Sequence, residues 1–351
     1  MGDSSRQVGS EALAQRFERF AIEECRGRSP LYERLSLEVS RDRELLTLAA
    51  HAPASQPPAN LLFAAVQFLL LKEDGNELAK FYPSMSHSLP PPSAAFPAFR
   101  QFCLTHAVQI LQLLVKRRVQ TNEVARCSYL FPAFSLSASF VEQRPLALIE
   151  IGTSAGLLLN WDRYAYRYDG GEVHGDPNSP VHIRSSLRGD KRPTLPTKMP
   201  TIGSRVGVDL HVIDVWNQDE TLWLQSLIWP EHTERIALLT AALEVAKAHP
   251  PKLVTGDALD LLPTLLDQVC SDAVPCVFHC YTLNQFSKEA RLRLAGMLEE
   301  YGRDRTLFRI GAEGRVNAQP ELRMYFWKSG EAQQMLLAHC DGHGRWIEWN
   351  V

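Results

Sequence analysis

A short segment between Glu150 and Gly156 combines an acid, two glycines and a serine at spacings that suit chemistry. Gly152 comes two residues after Glu150 and four residues before Gly156, with Thr153 and Ser154 among the residues between the glycines. Glycine lets a backbone turn sharply and approach a ligand closely, and a carboxylate can orient the polar groups of that ligand. A serine between two glycines can instead stand on a strained turn as a nucleophile. The segment therefore indicates either a ligand-binding turn or a hydrolytic serine.

The residues around this segment predict an α/β fold. Leu146–Ile151 is a short apolar run, and a helical pattern is expected over 157–166. Further strand-like runs occur at 205–209, 252–255, 274–281, 306–310, 322–327 and 345–349. Helical stretches separate most of them, at 220–227, 234–248, 261–269 and 288–301. This alternation predicts a mainly parallel sheet covered on both faces, and the last two runs predict an antiparallel end.

The N-terminal part of the sequence has a different pattern. Apolar residues recur at helical spacing from residue 10 to about 129, and no convincing strand precedes about residue 140. The sequence thus predicts an all-α domain over 1–140, which would cover the site and select the substrate. An α/β domain is expected over 141–351. It contains an insert at about 169–204, which is either a solvated hairpin or a lid over an anionic substrate.

Composition narrows the class of protein. A net charge of -3 gives no strong nucleic-acid signal and does not favour an anionic membrane surface, since both need a cationic excess. The seven cysteines are odd in number and form no Cys-x-x-Cys pair, which favours reduced thiols in the cytoplasm over disulfides or a metal site. The longest apolar run, Asn60–Leu71, is too short to span a bilayer. A small-molecule substrate is expected, and the oligomeric state stays open.

As Glu-x-Gly-x-x-x-Gly, the segment resembles the first motif of class I S-adenosylmethionine (SAM)-dependent methyltransferases. The resemblance implies a Rossmann-like domain that holds SAM as its cofactor at Glu150, Gly152, Thr153, Ser154 and Gly156. In those enzymes the glycines admit the amino-acid portion of SAM, and the carboxylate at the strand end helps to orient it.

Two later acids fit the same resemblance. Asp209 ends the predicted strand 205–209, where such enzymes place an acid that accepts hydrogen bonds from the ribose hydroxyls. Asp257 and Ala258 follow the next strand, where an acid or amide often lies beside the adenine. Carboxyl ends of neighbouring parallel strands share one edge of a sheet, so these acids are expected together. Each acid could alternatively be a helix cap.

The end of the predicted strand 274–281 is expected to face the transferred methyl group. His279, Tyr281 and Asn284 are the candidate catalytic residues there. His279 could act as the base that removes a proton from the acceptor, because an unperturbed histidine titrates near neutral pH. A hydrogen-bonded structural histidine is the alternative interpretation.

A dense polar group precedes the α/β domain and is a candidate substrate-binding region. It comprises Gln120, Asn122, Glu123 and Arg126, and Tyr82 could add an aromatic wall. Helix capping by Thr121 or Asn122 is the alternative interpretation of this group.

Two other function classes remain open. As Gly152-x-Ser154-x-Gly156, the segment resembles the nucleophile elbow of α/β hydrolases, and Asp257 or Asp267 followed by His339 or His343 would supply the order of a triad. The elbow needs strands upstream and an oxyanion loop, and the helical first 140 residues favour the SAM interpretation. A non-catalytic module that binds SAM or a nucleotide is the second alternative.

Five segments of the chain together resemble one family. They are 29–32 (Ser-Pro-Leu-Tyr), 81–84 (Phe-Tyr-Pro-Ser), 118–124, 150–168 and 256–263. The chain is identified by them as a member of an uncharacterised, mostly bacterial family known as domain of unknown function 2332. The resemblance covers nearly the whole chain and implies that the helical and α/β parts belong together, but it implies no reaction.

Overall fold

The computed structural model describes residues 2–315, 318–328 and 330–351 and divides the chain into two compact units. One unit runs up to Thr121 and includes Asn217–Ala237. The other contains Asn122–Trp216 and Leu238–Val351, and all strands of the sheet belong to it. The Glu150–Gly156 turn, Asp209 and His279 therefore belong to this second unit.

Two helices of the first unit begin at residues whose side chains cap them. Ser29 Oγ accepts a hydrogen bond from Tyr32 N at 3.1 Å, and Asp42 Oδ1 accepts one from Leu45 N at 3.0 Å, so each caps a helix. The α-helices of the described residues are α1 (Gly2–Arg19), α2 (Pro30–Val39), α3 (Arg43–Ala49), α4 (Pro58–Leu70), α5 (Phe96–Thr105), α6 (Ala107–Lys116), α7 (Cys127–Phe140), α8 (Gln218–Ser226), α9 (Thr233–Ala248), α10 (Ala258–Asp267) and α11 (Lys288–Gly302).

The strands begin at Leu146 and form one sheet. They are β1 (Leu146–Ile151), β2 (Ala165–Tyr168), β3 (Val173–Gly175), β4 (His182–Arg188), β5 (Ile202–Asp209), β6 (Lys252–Thr255), β7 (Val274–Cys280), β8 (Leu307–Arg315), β9 (Ala318–Lys328), β10 (Glu331–Cys340) and β11 (Trp346–Trp349). Their order across the sheet is β3-β2-β4-β11-β10-β9-β8-β7-β1-β5-β6.

Parallel pairing dominates the part of the sheet that carries the site. The strands β6, β5, β1, β7 and β8 are parallel neighbours, whereas β8 to β11 are joined by antiparallel pairs. Every residue of β1 and β7 is buried, as expected of parallel strands that are covered on both faces. The protein is thus a mixed α/β protein with a mostly parallel sheet, which confirms the coarser part of the predicted fold.

Each unit has an apolar core of its own. In the first, the rings of Tyr32 and Phe63 stack with centroids 4.5 Å apart, and Tyr32 Oη donates to the buried Gln67 at 2.8 Å. In the second, α10 and α11 bury Leu262 and Leu294 against Val277 and its neighbours in the sheet. Those two helices pack on one face of the sheet beneath the site.

Three segments differ from the sequence-based expectation. The helix expected over 157–166 is a 3-10 helix over Leu157–Arg163, and the chain then enters β2. The expected insert, interpreted as a solvated hairpin or a lid, contributes β3 and β4 to the sheet, where β4 pairs with β2 and β11. The strand β10 was missed, because its first four residues are exposed and three of them, Glu331, Gln333 and Gln334, are polar.

A helix that crosses a bilayer is long and continuously apolar. Within residues 2–315, 318–328 and 330–351, no helix combines the length and the hydropathy that a membrane span requires.

Candidate functional site

The order in which the chain visits the parallel strands changes direction at β1. From β1 the chain first forms β2, β3 and β4 in the far part of the sheet. It then forms β5 and β6 on one side of β1 and returns to β7 and β8 on the other side. Open α/β sheets bind ligands at the carboxyl ends of the two strands that flank such a switch point. Ile151 lies in register beside His279, so the ends of β1 and β7 are adjacent. The predicted turn and the predicted catalytic segment therefore lie at the same edge.

The turn after β1 contains three left-handed backbone positions. They are Gly152 with φ 77°, Ser154 with φ 54° and Gly156 with φ 71°. The N–H groups of Gly152 and Thr153 both donate to Val208 O, at 2.8 and 3.2 Å, and so join the turn to β5. Glycine adopts this backbone conformation without cost, whereas a serine is strained by about 1 kcal/mol or more. Ser154 therefore holds its place against a backbone penalty.

The space beside Gly152 is filled by protein. A Cβ placed there would lie 2.9 Å from Thr282 Cβ and closer still to the other atoms of that side chain. The sequence assigned this space to the amino-acid portion of a cofactor, and the structure gives it to Thr282. A larger residue at 152 would consequently disturb the packing of two loops as well as any ligand.

Glu150 is a buried acid at the end of β1. Its side chain is 1% exposed, and its Oε2 accepts a hydrogen bond from Thr153 Oγ1 at 2.7 Å. Burial raises the pKa of Glu150 to about 8, an increase that the hydrogen bond from Thr153 and the charge of Arg126 partly oppose. The carboxyl group is thus uncharged over much of the neutral range and can become an anion beside a bound cation.

Asp209, at the end of β5, is tied directly to the turn. Its Oδ2 accepts from Ser154 N at 2.9 Å, and its Oδ1 accepts from His211 N at 3.0 Å. A carboxylate has room for about four hydrogen bonds, so Asp209 can accept more from a ligand. The structure brings Asp209 and the Glu150–Gly156 turn together, as the sequence predicted.

Asp257 has a different environment. It is exposed, and its Oδ1 accepts from Leu259 N at 2.8 Å as the N-cap of α10. The next residue, Ala258, is the first residue of α10 and is buried. Helix capping, the alternative interpretation from the sequence, is what the contacts of Asp257 show.

His279 is the central member of a buried network on β7 and β8. Its Nδ1 lies 2.7 Å from Glu313 Oε1, and Arg309 Nε donates to its Nε2 at 3.2 Å. Burial lowers the pKa of His279, so the neutral ring donates to Glu313 and accepts from Arg309. Both ring nitrogens are engaged, and this arrangement favours a positioning role over the expected base.

Glu313 extends that network into the loop after β7. Its Oε1 also accepts from Thr282 N and Leu283 N, both at 3.2 Å. Its Oε2 is buried and has no hydrogen-bond partner among the described residues. The loop that carries Tyr281 and Thr282 is therefore fixed by one carboxylate oxygen, and the other remains available.

Tyr281 directly follows β7 and has a left-handed conformation, with φ 57°. A positive φ is a true outlier for a bulky residue and marks a functional or strained position. Arg126 lies over the ring at 4.4 Å, and its guanidinium donates to Gly342 O at 3.1 Å and to Cys280 O at 3.5 Å. Arg126 is 8% exposed and makes no ion pair with any carboxylate of the described chain. A buried cation with only carbonyl partners is suited to binding an anionic group.

The remaining predicted residues divide between the units. Asn122 Oδ1 accepts from Leu157 N at 3.1 Å, and Glu123 accepts from Ala125 N at 3.4 Å, so both support backbone near the turn. Asn284 follows the β7 loop and is exposed. Gln120 and the buried Tyr82 belong to the first unit.

Sequence reasoning missed Arg309 and Glu313. The strand β8 was expected to end at residue 310, although it continues to Arg315. An acid at the carboxyl end of a parallel strand is the signal that identified Asp209, and the longer strand would have identified Glu313 in the same way. It also missed Leu210 and Trp216, which are 63% and 61% exposed in the loop after β5.

Ser154 could act as a nucleophile only if a neighbouring base activated its hydroxyl group. Its Oγ is buried and has no hydrogen-bond partner in the part of the chain that the structure describes. No histidine therefore activates it, as an acyl-transfer triad would require. The described side chains likewise contain no group of three His, Cys, Asp or Glu residues that could hold a metal ion.

The fold and this edge define a mixed α/β protein with a candidate ligand site at the switch point of its parallel strands. The model of one family, described as an uncharacterized protein conserved in bacteria (DUF2332), matches residues 14–349. The chain belongs to this family, as the five sequence segments predicted. No curated protein and no solved structure matches the chain.

Proposed function

We propose that the protein binds SAM at the carboxyl ends of β1 and β5 and transfers its methyl group to a small-molecule acceptor. The observation that carries the proposal is the bond between Asp209 Oδ2 and Ser154 N, 2.9 Å long, at the switch point of the sheet. It joins the Glu150–Gly156 turn to the acid of the neighbouring strand, where the Rossmann-like arrangement holds a nucleoside. The strand order β6-β5-β1-β7-β8 supports a Rossmann-like type.

The chemistry of the side chains fits such a cofactor. Asp209 offers acceptor sites to the ribose hydroxyls, and the exposed Leu210 next to it offers an apolar surface to the base. Arg126 offers a buried cation to the carboxylate of SAM. The raised pKa of Glu150 keeps its carboxyl group protonated near neutral pH, and the group could ionise beside the ammonium or sulfonium group of SAM. The contact of Asp257 with the adenine stays a prediction. The hydrogen bond that Asp257 makes within the protein is with Leu259 N.

SAM would supply an electrophilic methyl group, and the protein would align the acceptor with it. The residues at the end of β7 are suited to that alignment. His279 and Glu313 hold the loop of Tyr281 and Thr282 through hydrogen bonds of 2.7 and 3.2 Å. Tyr281 Oη is buried without a partner among the described residues and could donate to an acceptor atom. His279 then positions the loop rather than removing a proton.

The test is a calorimetric titration of the whole chain with SAM and with its demethylated product. We expect saturable binding, weakened roughly 10- to 100-fold by Asp209→Asn, which removes a charged acceptor but not its shape. The control is Asp260→Asn, the same change at an exposed acid of α10 that pairs with Arg293. Absence of binding by the folded wild type, or equal binding by Asp209→Asn, would overturn the proposal. Binding without turnover of any acceptor would instead identify a non-catalytic module.

A serine hydrolase remains the second candidate, because the left-handed φ of Ser154 is typical of a nucleophile on a strained turn. The lack of a partner for its Oγ argues against it. A fluorophosphonate probe distinguishes the two, since labelling that Ser154→Ala abolishes would establish the hydrolase.

A further inference from the structure

A cavity lies in the sheet unit, away from the switch point. It has a volume of about 350 Å³ and is lined by residues of the 3-10 helix after the turn, by Arg205 of β5, and by residues 248–252. Lys252 is the first residue of β6, whereas the acids of the candidate site follow the strand ends. Three residues of strand separate Lys252 from the carboxyl end of β6, or roughly 10 Å.

The lining of this cavity is cationic. It includes Arg163, Arg205 and Lys252 and contains no Asp or Glu. Arg205 is neutralised by Asp162, 2.5 Å away, and also donates to Leu159 O at 3.0 Å. Arg163 and Lys252 make no ion pair with any residue that the structure describes. The cavity therefore carries two uncompensated positive charges.

The buried side chain of Asn160 also lines the cavity, and one of its polar atoms lacks a hydrogen-bond partner among the described residues. Asn160 is completely buried and lines the cavity, and its Nδ2 donates to His249 O at 3.1 Å. Its Oδ1 has no partner among the described residues, and neither has the buried Nε of Arg163. Buried polar atoms are nearly always hydrogen-bonded, so one acceptor and one donor here are left for a ligand.

We propose that this cavity binds the phosphate monoester of a small hydroxyl compound. The dianionic phosphate would lie between Arg163 and Lys252, with Arg163 Nε donating to it, and a hydroxyl group would donate to Asn160 Oδ1. The volume suits a ligand of the size of a sugar phosphate. The site is independent of the proposed SAM site and of methyl transfer.

The test is a calorimetric titration of the whole chain with ribose 5-phosphate, inorganic phosphate and ribose. We expect ribose 5-phosphate to bind best, inorganic phosphate more weakly, and ribose not measurably. Arg163→Gln and Lys252→Gln should each weaken binding about tenfold, since each removes one charge-assisted contact. Lys288→Gln is the matched control, because Lys288 is exposed on α11 and does not line the cavity.

Four results would overturn the proposal, each in protein whose thermal unfolding is unchanged. The first is the absence of saturable binding of either phosphate up to roughly 10 mM, where even a millimolar site is filled. The second is binding of ribose as tight as that of ribose 5-phosphate. The third is unaltered binding by Lys252→Gln, and the fourth is an equal loss of binding with Lys288→Gln. Equal affinity for phosphate and its ester would identify a site for the free ion and overturn the role of Asn160. Because neither variant touches Asp209, failure here leaves the SAM proposal standing.

Discussion

Replacing Glu150 with glutamine should change how the stability of the protein depends on pH. The folded-state pKa of Glu150 is about 8, above the value of 4.5 expected without burial. Between those values the folded state holds a proton that the unfolded state has released, so the wild type loses stability as the pH rises. Glutamine resembles the protonated acid in shape, can still accept from Thr153 Oγ1, and does not titrate.

The size of the effect follows from the same pKa values. Stability falls by up to about 1.4 kcal/mol for each pH unit within the window, because one proton is linked to folding. From pH 5.5 to pH 7.5 the wild type should therefore lose about 2 to 3 kcal/mol relative to Glu150→Gln. Glu150 is almost completely buried, so solvent screening does not reduce this figure greatly.

The assay is urea unfolding of both proteins at the two pH values, and the quantity compared is the difference between the two proteins at each pH. The difference removes the contributions of all groups that titrate in the same way in both proteins. The control is Glu299→Gln, the same substitution at an exposed position of α11. A difference that stays constant from pH 5.5 to pH 7.5, or one that Glu299→Gln reproduces, would refute the assignment of Glu150 as a buried, uncharged acid.

Three further predictions concern packing, thiols and strain. Gly311→Ala should lower the free energy of unfolding by about 1–3 kcal/mol in thermal unfolding, because a Cβ there would lie 2.9 Å from His279 Nε2. Gly296→Ala is the control, because a Cβ there would have no atom within 4 Å, and it should raise the free energy of unfolding by about 0.5–1 kcal/mol through the better helix propensity of alanine in α11. A thiol reagent should label one cysteine in the folded protein, Cys270, and all seven after denaturation, and fast native labelling of a second thiol would contradict the burial of the rest. Ser154→Gly should be more stable than Ser154→Ala by about 0.5–1 kcal/mol, because only glycine relieves the left-handed strain, and the opposite order would show that the turn is unstrained.

The strands and helices of the parallel part could be predicted because their sequences carry strong periodic signals. The strand β6 was predicted at its observed bounds, since an apolar pair lies between a proline and a glycine turn. The strands β4 and β10 lack that signal. In β4 the alternate residues His182, Arg184 and Ser186 are exposed, so the buried half of the pattern is too short to stand out. Pairing with distant strands stabilises such segments, and pairing does not appear in a local pattern.

The residues of the candidate site that lie at strand ends could be predicted, because the strands themselves could be predicted. Parallel strands bring their carboxyl ends to one edge, and for that reason the sequence alone predicts that Glu150, Asp209 and His279 share it. The role of His279 could not be foreseen, because it depends on Glu313 and Arg309 from β8, 30 residues or more further along the chain. A partner set by strand register leaves no mark near the histidine in the sequence.

Strained backbone and buried ionisable groups at the carboxyl ends of β1 and β7 argue for a functional site there. Ser154 and Tyr281 hold left-handed conformations that glycine would adopt without strain, and they lie in the segments that follow β1 and β7, the two strands that flank the switch point. Beside them lie a buried acid, Glu150, and a buried cation, Arg126, that form no ion pair with each other in the described structure. A turn with only a structural role would gain stability from glycine at 154 and from apolar residues at 150 and 126. A strained backbone, a buried acid that is uncharged, and a buried cation without a carboxylate partner are instead the properties of a site that is completed by a charged ligand.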